Sequence, residues 1–194
     1  MQKFIDRILK NKLFFLLLIF TNSLSSAVTV IGNSDAAICY RYADTGSSSK
    51  ASMSICRDVL SDKNVPDDLL AATRVNLGII YNNALRPQEA INEFNLAKLN
   101  EAAKPEAILN QGNSFYLLKN FSLALEKYKS SLAHNIKDIS AVFFNMGLAY
   151  EQIGDNDKAI RNYQKAIDIK PDTFIYLQAR ARLVEQGLWN LKEG

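Results

Sequence analysis

The sequence predicts an all-α fold: a solenoid of helical hairpins with a divergent helix pair in front and a capping helix behind. Two observations carry that expectation. The stretches VNLGIIY (75–81), LNQGNSF (109–115) and FNMGLAY (144–150) share Asn, any residue, Gly, two residues and an aromatic, and Gly78, Gly112 and Gly147 recur at intervals of 34 and 35. The second half of each unit keeps register through Ala90, Ala124 and Ala159, then Phe94, Tyr128 and Tyr163, then Ala97, Ser131 and Ala166. A hydrophobic fraction of 48% against 22% charged residues suits a folded chain with a sizeable core.

In chain order, residues 1–27 read as a signal peptide. Lys3, Arg7, Lys10 and Lys12 precede the apolar run Leu13 to Phe20, and Ser25 and Ala27 place small side chains at the −3 and −1 positions of a cut after Ala27. The run falls short of the roughly 20 apolar residues of a membrane span. The expectation is therefore a cleaved leader with no stable membrane insertion afterwards, and an uncleaved anchor is the alternative. Removing four Lys/Arg and one Asp with this segment leaves 19 basic and 19 acidic residues. Balanced, interspersed charge offers no basic face, so nucleic acid is not an expected partner.

Residues 28–66 read as a divergent pair of short helices, 36–43 and 49–60, around a Gly-Ser-Ser-Ser turn at 46–49. Cys39 and Cys56 fall one on each helix, and in an oxidising compartment such a pair is expected to close a disulfide contributing on the order of 3 kcal/mol. In a reducing compartment they would be two buried thiols. Their spacing supports neither a zinc site nor a thioredoxin-type motif.

Residues 67–171 hold the three units, approximately 71–104, 105–139 and 140–173. Gly78 and Ala90, with their equivalents, let two antiparallel helices approach closely while Tyr81 and Phe94 fill the space beside them. Asp138 and Asp155 stand where helix caps are expected, Pro87 and Pro105 fit first turns, and Asp67 follows Pro66 at the first full unit. After Pro171, Asp172 is expected to cap a last helix carrying Ile175, Ala179 and Leu183, so residues 172–194 form a capping helix and tail. Seven to nine helices and no strand are expected.

This pattern resembles the tetratricopeptide-repeat family over residues 71 to 171. The third unit matches best, through Phe143, Met146, Gly147, Tyr150, Gly154, Ala159, Tyr163, Ala166 and Pro171. The first two units depart from it: Leu85 and Lys119 replace the turn glycine, and Ala102 and Ile136 replace the closing proline. These departures are expected to blur the turns without threatening the fold. The resemblance implies a superhelix of three repeats that acts as an interaction scaffold.

Groups for catalysis are scarce, and no catalytic residue, metal site or cofactor is expected. His134, the only histidine, stands near the end of a second helix with no second ligand nearby in sequence, and reads as a surface imidazole. Ser47-x-x-Lys50 has the letters of a serine acyl-enzyme motif but lies in a Ser/Gly-rich turn without its companion signatures. Asn120-Phe121-Ser122 fits a glycosylation acceptor by its letters alone.

One asparagine per unit remains: Asn76, Asn110 and Asn145. Helix propensity does not favour Asn at that position. The position resembles the family's inner surface, where some members carry an asparagine ladder that grips a peptide backbone. That implies a groove formed by Asn76, Asn110 and Asn145, with Ile79, Asn113 and Leu148 one turn along and Val75, Leu109 and Phe144 beside them. The expected client is an extended or helical segment of another protein. Self-association is left open. The expected setting is exported, periplasmic before secreted, in envelope assembly or a chaperone-like role. The alternatives are a cell-wall-interacting protein or enzyme of the Sel1-like type, and an anchored envelope spacer.

Overall fold

The protein is described here by a computed structural model covering residues 24, 25, 27, 28 and 34–189; most of the expected signal peptide lies outside the described residues. Among these residues are nine helices and no strand. Helices α1 (Ser34–Asp44) and α2 (Lys50–Ser61) form the divergent first pair. Three hairpins follow: α3 (Asp67–Asn83) with α4 (Pro87–Ala97), α5 (Lys104–Leu117) with α6 (Phe121–Ala133), and α7 (Ile139–Ile153) with α8 (Asn156–Ile169). Helix α9 (Phe174–Glu185) closes the stack. Each helix packs on its hairpin partner and on the next hairpin, and the first helices α3, α5 and α7 touch in turn along one side. Such nearest-neighbour packing defines a helical-hairpin solenoid.

The recurring glycines are explained by what faces them. A Cβ built on Gly78 would lie 2.4 Å from the Phe94 ring, one on Gly112 2.5 Å from Tyr128, and one on Gly147 2.6 Å from Tyr163. All three rings are fully buried. Any side chain at these glycines would push the ring out, so glycine and aromatic are one device repeated in each hairpin.

The turns correct one expectation. After α3 the Leu85 amide donates to the Asn82 carbonyl and the Arg86 amide to Tyr81; Lys119 and Asn120 repeat this onto Tyr116 and Phe115, and Gly154 and Asp155 onto Glu151 and Tyr150. The same pair of bonds ends α1 at Gly46 and Ser47 and follows α9 at Gly187 and Leu188. These are Schellman closures, whose central residue is left-handed. Its φ is +56° at Leu85 and +59° at Lys119, against +85° at Gly154. The turns are thus conserved in geometry rather than blurred, and the missing glycines appear as backbone strain of about 1 kcal/mol each.

Capping follows the sequence in part. The side chains of Asp138, Asp155, Asn120 and Ser49 accept from the amides of Ala141, Lys158, Leu123 and Ser52. Asp172 does not cap α9; Thr173 holds that place, without a side-chain bond. Ala179 and Leu183 are buried in α9 as expected, while Tyr176 takes the place expected of Ile175, which is only half-buried, within a run of four apolar residues.

Candidate peptide-binding groove

The face lined by α3, α5 and α7 carries the asparagines and is met by the chain's own Leu24, Ala27 and Val28. Asn76 Oδ1 accepts from the Val28 amide at 2.9 Å and Asn76 Nδ2 donates to the Val28 carbonyl at 3.0 Å. Asn145 does the same for Leu24, accepting its N–H at 2.9 Å and donating to its carbonyl at 2.9 Å. Each amide side chain thus satisfies the complete backbone polarity of one residue and touches nothing of its identity. With Leu24 at the third repeat and Val28 at the first, the segment runs opposite to the order of the repeats.

The central rung behaves differently. Asn110 Nδ2 donates to the Glu106 carbonyl in its own helix at 2.9 Å, and its Oδ1 accepts from Asn113 Nδ2 at 3.2 Å. Asn113 also donates to the Leu24 carbonyl at 3.1 Å, while its Oδ1 receives Asn145 Nδ2 at 3.0 Å and the Tyr128 hydroxyl at 3.0 Å. A continuous amide chain therefore runs Asn145, Asn113, Asn110 beneath the segment. Burial pushes the Tyr128 phenol well above its usual pKa, so it stays a proton donor to Asn113. Asn82 steadies the chain from below, donating to the Asn110 carbonyl at 3.3 Å and accepting from the Ser114 hydroxyl at 2.9 Å.

Asn76, Asn110 and Asn145 are all 0% exposed. Val75 and Ile79 lie in one buried cluster, on which Ala27 and Val28 pack. Leu109, Phe144 and Leu148 lie in a second, on which Leu24 packs. The five apolar residues expected beside the ladder are thus core side chains of the two clusters on which the segment packs. Phe144 faces away into the stack, its ring centroid 5.5 Å from Tyr163 and 4.9 Å from Tyr176. The sequence reading missed the backing of Asn113 by Tyr128 and the support from Asn82 and Ser114. It also missed the segment itself.

The other candidate groups fall in structural roles. His134 is the C-cap of α6, half-buried rather than exposed, with Nδ1 2.8 Å from the Ser130 carbonyl. Ser47 donates to the Ser52 hydroxyl within the turn that opens α2, and Asn120 caps α6. Cys39 and Cys56 meet across α1 and α2 with Cα atoms 5.1 Å apart, in a disulfide-compatible pairing. Among the described residues no group of three or more His, Cys, Asp or Glu gathers to hold a metal, and no helix is long and apolar enough to cross a membrane.

With this geometry in view, the comparisons with known proteins agree. The tetratricopeptide-repeat family model matches residues 140–173, the third hairpin. A crystal structure of MamA superposes with a TM-score of 0.58 at 22% sequence identity, covering 82% of this chain and 88% of that one. No curated protein matches. The third hairpin thus matches a tetratricopeptide repeat, and the fold is a helical-hairpin solenoid similar to that of MamA.

Proposed function

We propose that the protein is an exported, non-enzymatic adaptor whose groove binds an extended segment of another protein, in the periplasm and in the service of envelope assembly. One observation carries the reading: Asn76 and Asn145 each hold a backbone N–H and C=O of an extended segment through both atoms of their amides. Backbone capture gives affinity that tolerates client sequence, which suits an adaptor. The leader pattern of residues 1–27 and the paired cysteines support export into an oxidising compartment.

The test is client or peptide-library binding by the chain carrying Asn76→Ala and Asn145→Ala together. Two hydrogen bonds of about 1 kcal/mol each are lost per substitution, so affinity falls at least about tenfold per rung while the melting temperature of the client-binding array stays close to that of the parent. Binding unchanged in the double variant, with the helical signal intact, rejects the groove. N-terminal sequencing of exported protein should begin at Val28, and finding Met1 instead rejects cleavage.

A further inference from the structure

Resting on that reading of the groove, we propose a definite chemistry for its client: an extended segment, uncharged at its clamped positions and read against the order of the repeats. It carries an apolar residue at each of two positions four apart, a small residue just before the second, and any residue just after the first. The chain's own residues 24–28 are the built-in competitor for that segment.

The occupied groove shows the pattern directly. Leu24 and Val28, the two clamped residues, both pack onto the core clusters, as does Ala27. Ser25 is exposed, so the array reads nothing there. The side chains that hydrogen-bond the segment are neutral amides, Asn76, Asn113 and Asn145. A charge in place of Leu24 or Val28 would be partly drawn from water against apolar side chains, which disfavours it. The segment is joined to α1 through only residues 29–33, and a competitor on so short a tether acts at an effective concentration on the order of millimolar. A client in trans must exceed that, or the tether must be cut. A cut after Ala27 falls between the two clamps: it would remove Leu24 from Asn145 and Asn113 and leave Val28 as a free end at Asn76. Processing of the leader and opening of the third-repeat end of the groove would then be one event.

The experiment uses a fluorescent peptide of residues 22–30 as the probe and the full chain as receptor. The parent chain should bind it weakly, and the full chain carrying Leu24→Asp and Val28→Asp at least about tenfold tighter, the competitor being displaced. Adding Asn76→Ala and Asn145→Ala to that receptor should abolish the gain. Within the probe, Ser25→Lys should leave affinity unchanged, while Leu24→Asp or Ala27→Trp should reduce it at least about tenfold. Hydrogen exchange on the parent chain supplies a readout that does not depend on the Asp variant folding: the Leu24 and Val28 amides should be protected, and should lose protection with excess free probe or with Asn145→Ala and Asn76→Ala respectively. Unprotected amides, or equal probe affinity for the parent and opened chains, overturn the competitor. Discovery that the opened chain prefers charged segments, or pairs with a second copy instead of the probe, overturns the client chemistry. If the opened chain takes other extended peptides through Asn76 and Asn145 but not this one, the groove reading stands and the present one falls; if it takes none, both fall.

Discussion

At its N-terminal end the array closes with α1 and α2, which pack with α3 around Ala36, Val59, Val65 and Ala72, with Tyr40, Leu69 and Leu70 against them, and are bridged by Cys39 and Cys56. At its C-terminal end a single helix, α9, buries Tyr176, Ala179 and Leu183, with Trp189 behind it. Arg182 pairs there with both oxygens of Glu151, which also accepts the Tyr163 hydroxyl at 2.7 Å. A solenoid must cover both outer faces. The difference teaches that a helix pair can close one end with a covalent bridge added to its packing, whereas a single helix closes the other with buried aromatic rings and a half-buried ion pair.

The sharpest way to break this contrast is Tyr176→Ala. The ring is about 1% exposed and its hydroxyl donates to Ser140 Oγ at 3.1 Å, so its removal opens a cavity and should cost about 3–4 kcal/mol. Hydrogen exchange should show α9 and α8 losing protection while α1 to α4 keep theirs, because each hairpin leans on its neighbours alone. Uniform loss along the chain would contradict that. Cys39→Ala is the counterpart. Freeing a loop with a sequence separation of 17 should cost about 3 kcal/mol, with fraying limited to α1 and α2. Alkylation that finds two free thiols in protein isolated without reductant would remove the staple from the account.

The sequence made the repeats legible because glycine and aromatic answer each other across one tight hairpin, Gly78 to Phe94 and its two equivalents, at a spacing the turn fixes. The cap was legible as a helix burying Ala179 and Leu183, but not which residue of its first turn joins them, since Phe174, Ile175, Tyr176 and Leu177 are all apolar and nothing local chooses among them. Of the groove, the asparagines stood out as unforced polar residues at a helical position. Their occupant did not, because the bonds from Leu24 to Asn145 and from Val28 to Asn76 join residues 121 and 48 apart, and residues 24–28 read locally as the end of a leader. Left-handed Leu85 and Lys119 were equally hidden: their side chains give no sign of the backbone they adopt.

Alkaline pH should separate the two ends by titration. Burial, assisted by the Glu151 charge, raises the Tyr116 phenol to about 12, and burial raises Tyr128, Tyr163 and Tyr176 as well. An unfolded tyrosine titrates near pH 10. The unfolded chain therefore loses these protons first, and the stability they confer is complete below about pH 10 and lost as pH rises through about 12 and beyond. All four lie between residues 116 and 176, so the C-terminal half should lose helical protection first, with phenolate absorbance rising in step. Phenolate formed by any of these four near pH 10 with the helices intact would contradict it.

The smallest expected effect compares the first and third repeats at their turns. Leu85 holds φ +56° with its side chain 69% exposed, so Leu85→Gly relieves strain and gives up almost no buried contact. Glycine also enlarges the unfolded ensemble, which takes back about 0.4–1 kcal/mol, so the net gain should be no more than about 0.5 kcal/mol. Gly154→Ala is the reverse change at the equivalent place. No atom stands within 4 Å of the added Cβ, so any cost is backbone strain alone, about 1 kcal/mol, partly offset by the same unfolded-state term. Melting temperature should therefore rise by about 1 °C in the first variant and fall by about 1 °C in the second. A fall in both would mean that the Leu85 side chain stabilises the turn after all, and that the first repeat tolerates its missing glycine through contact rather than through strain.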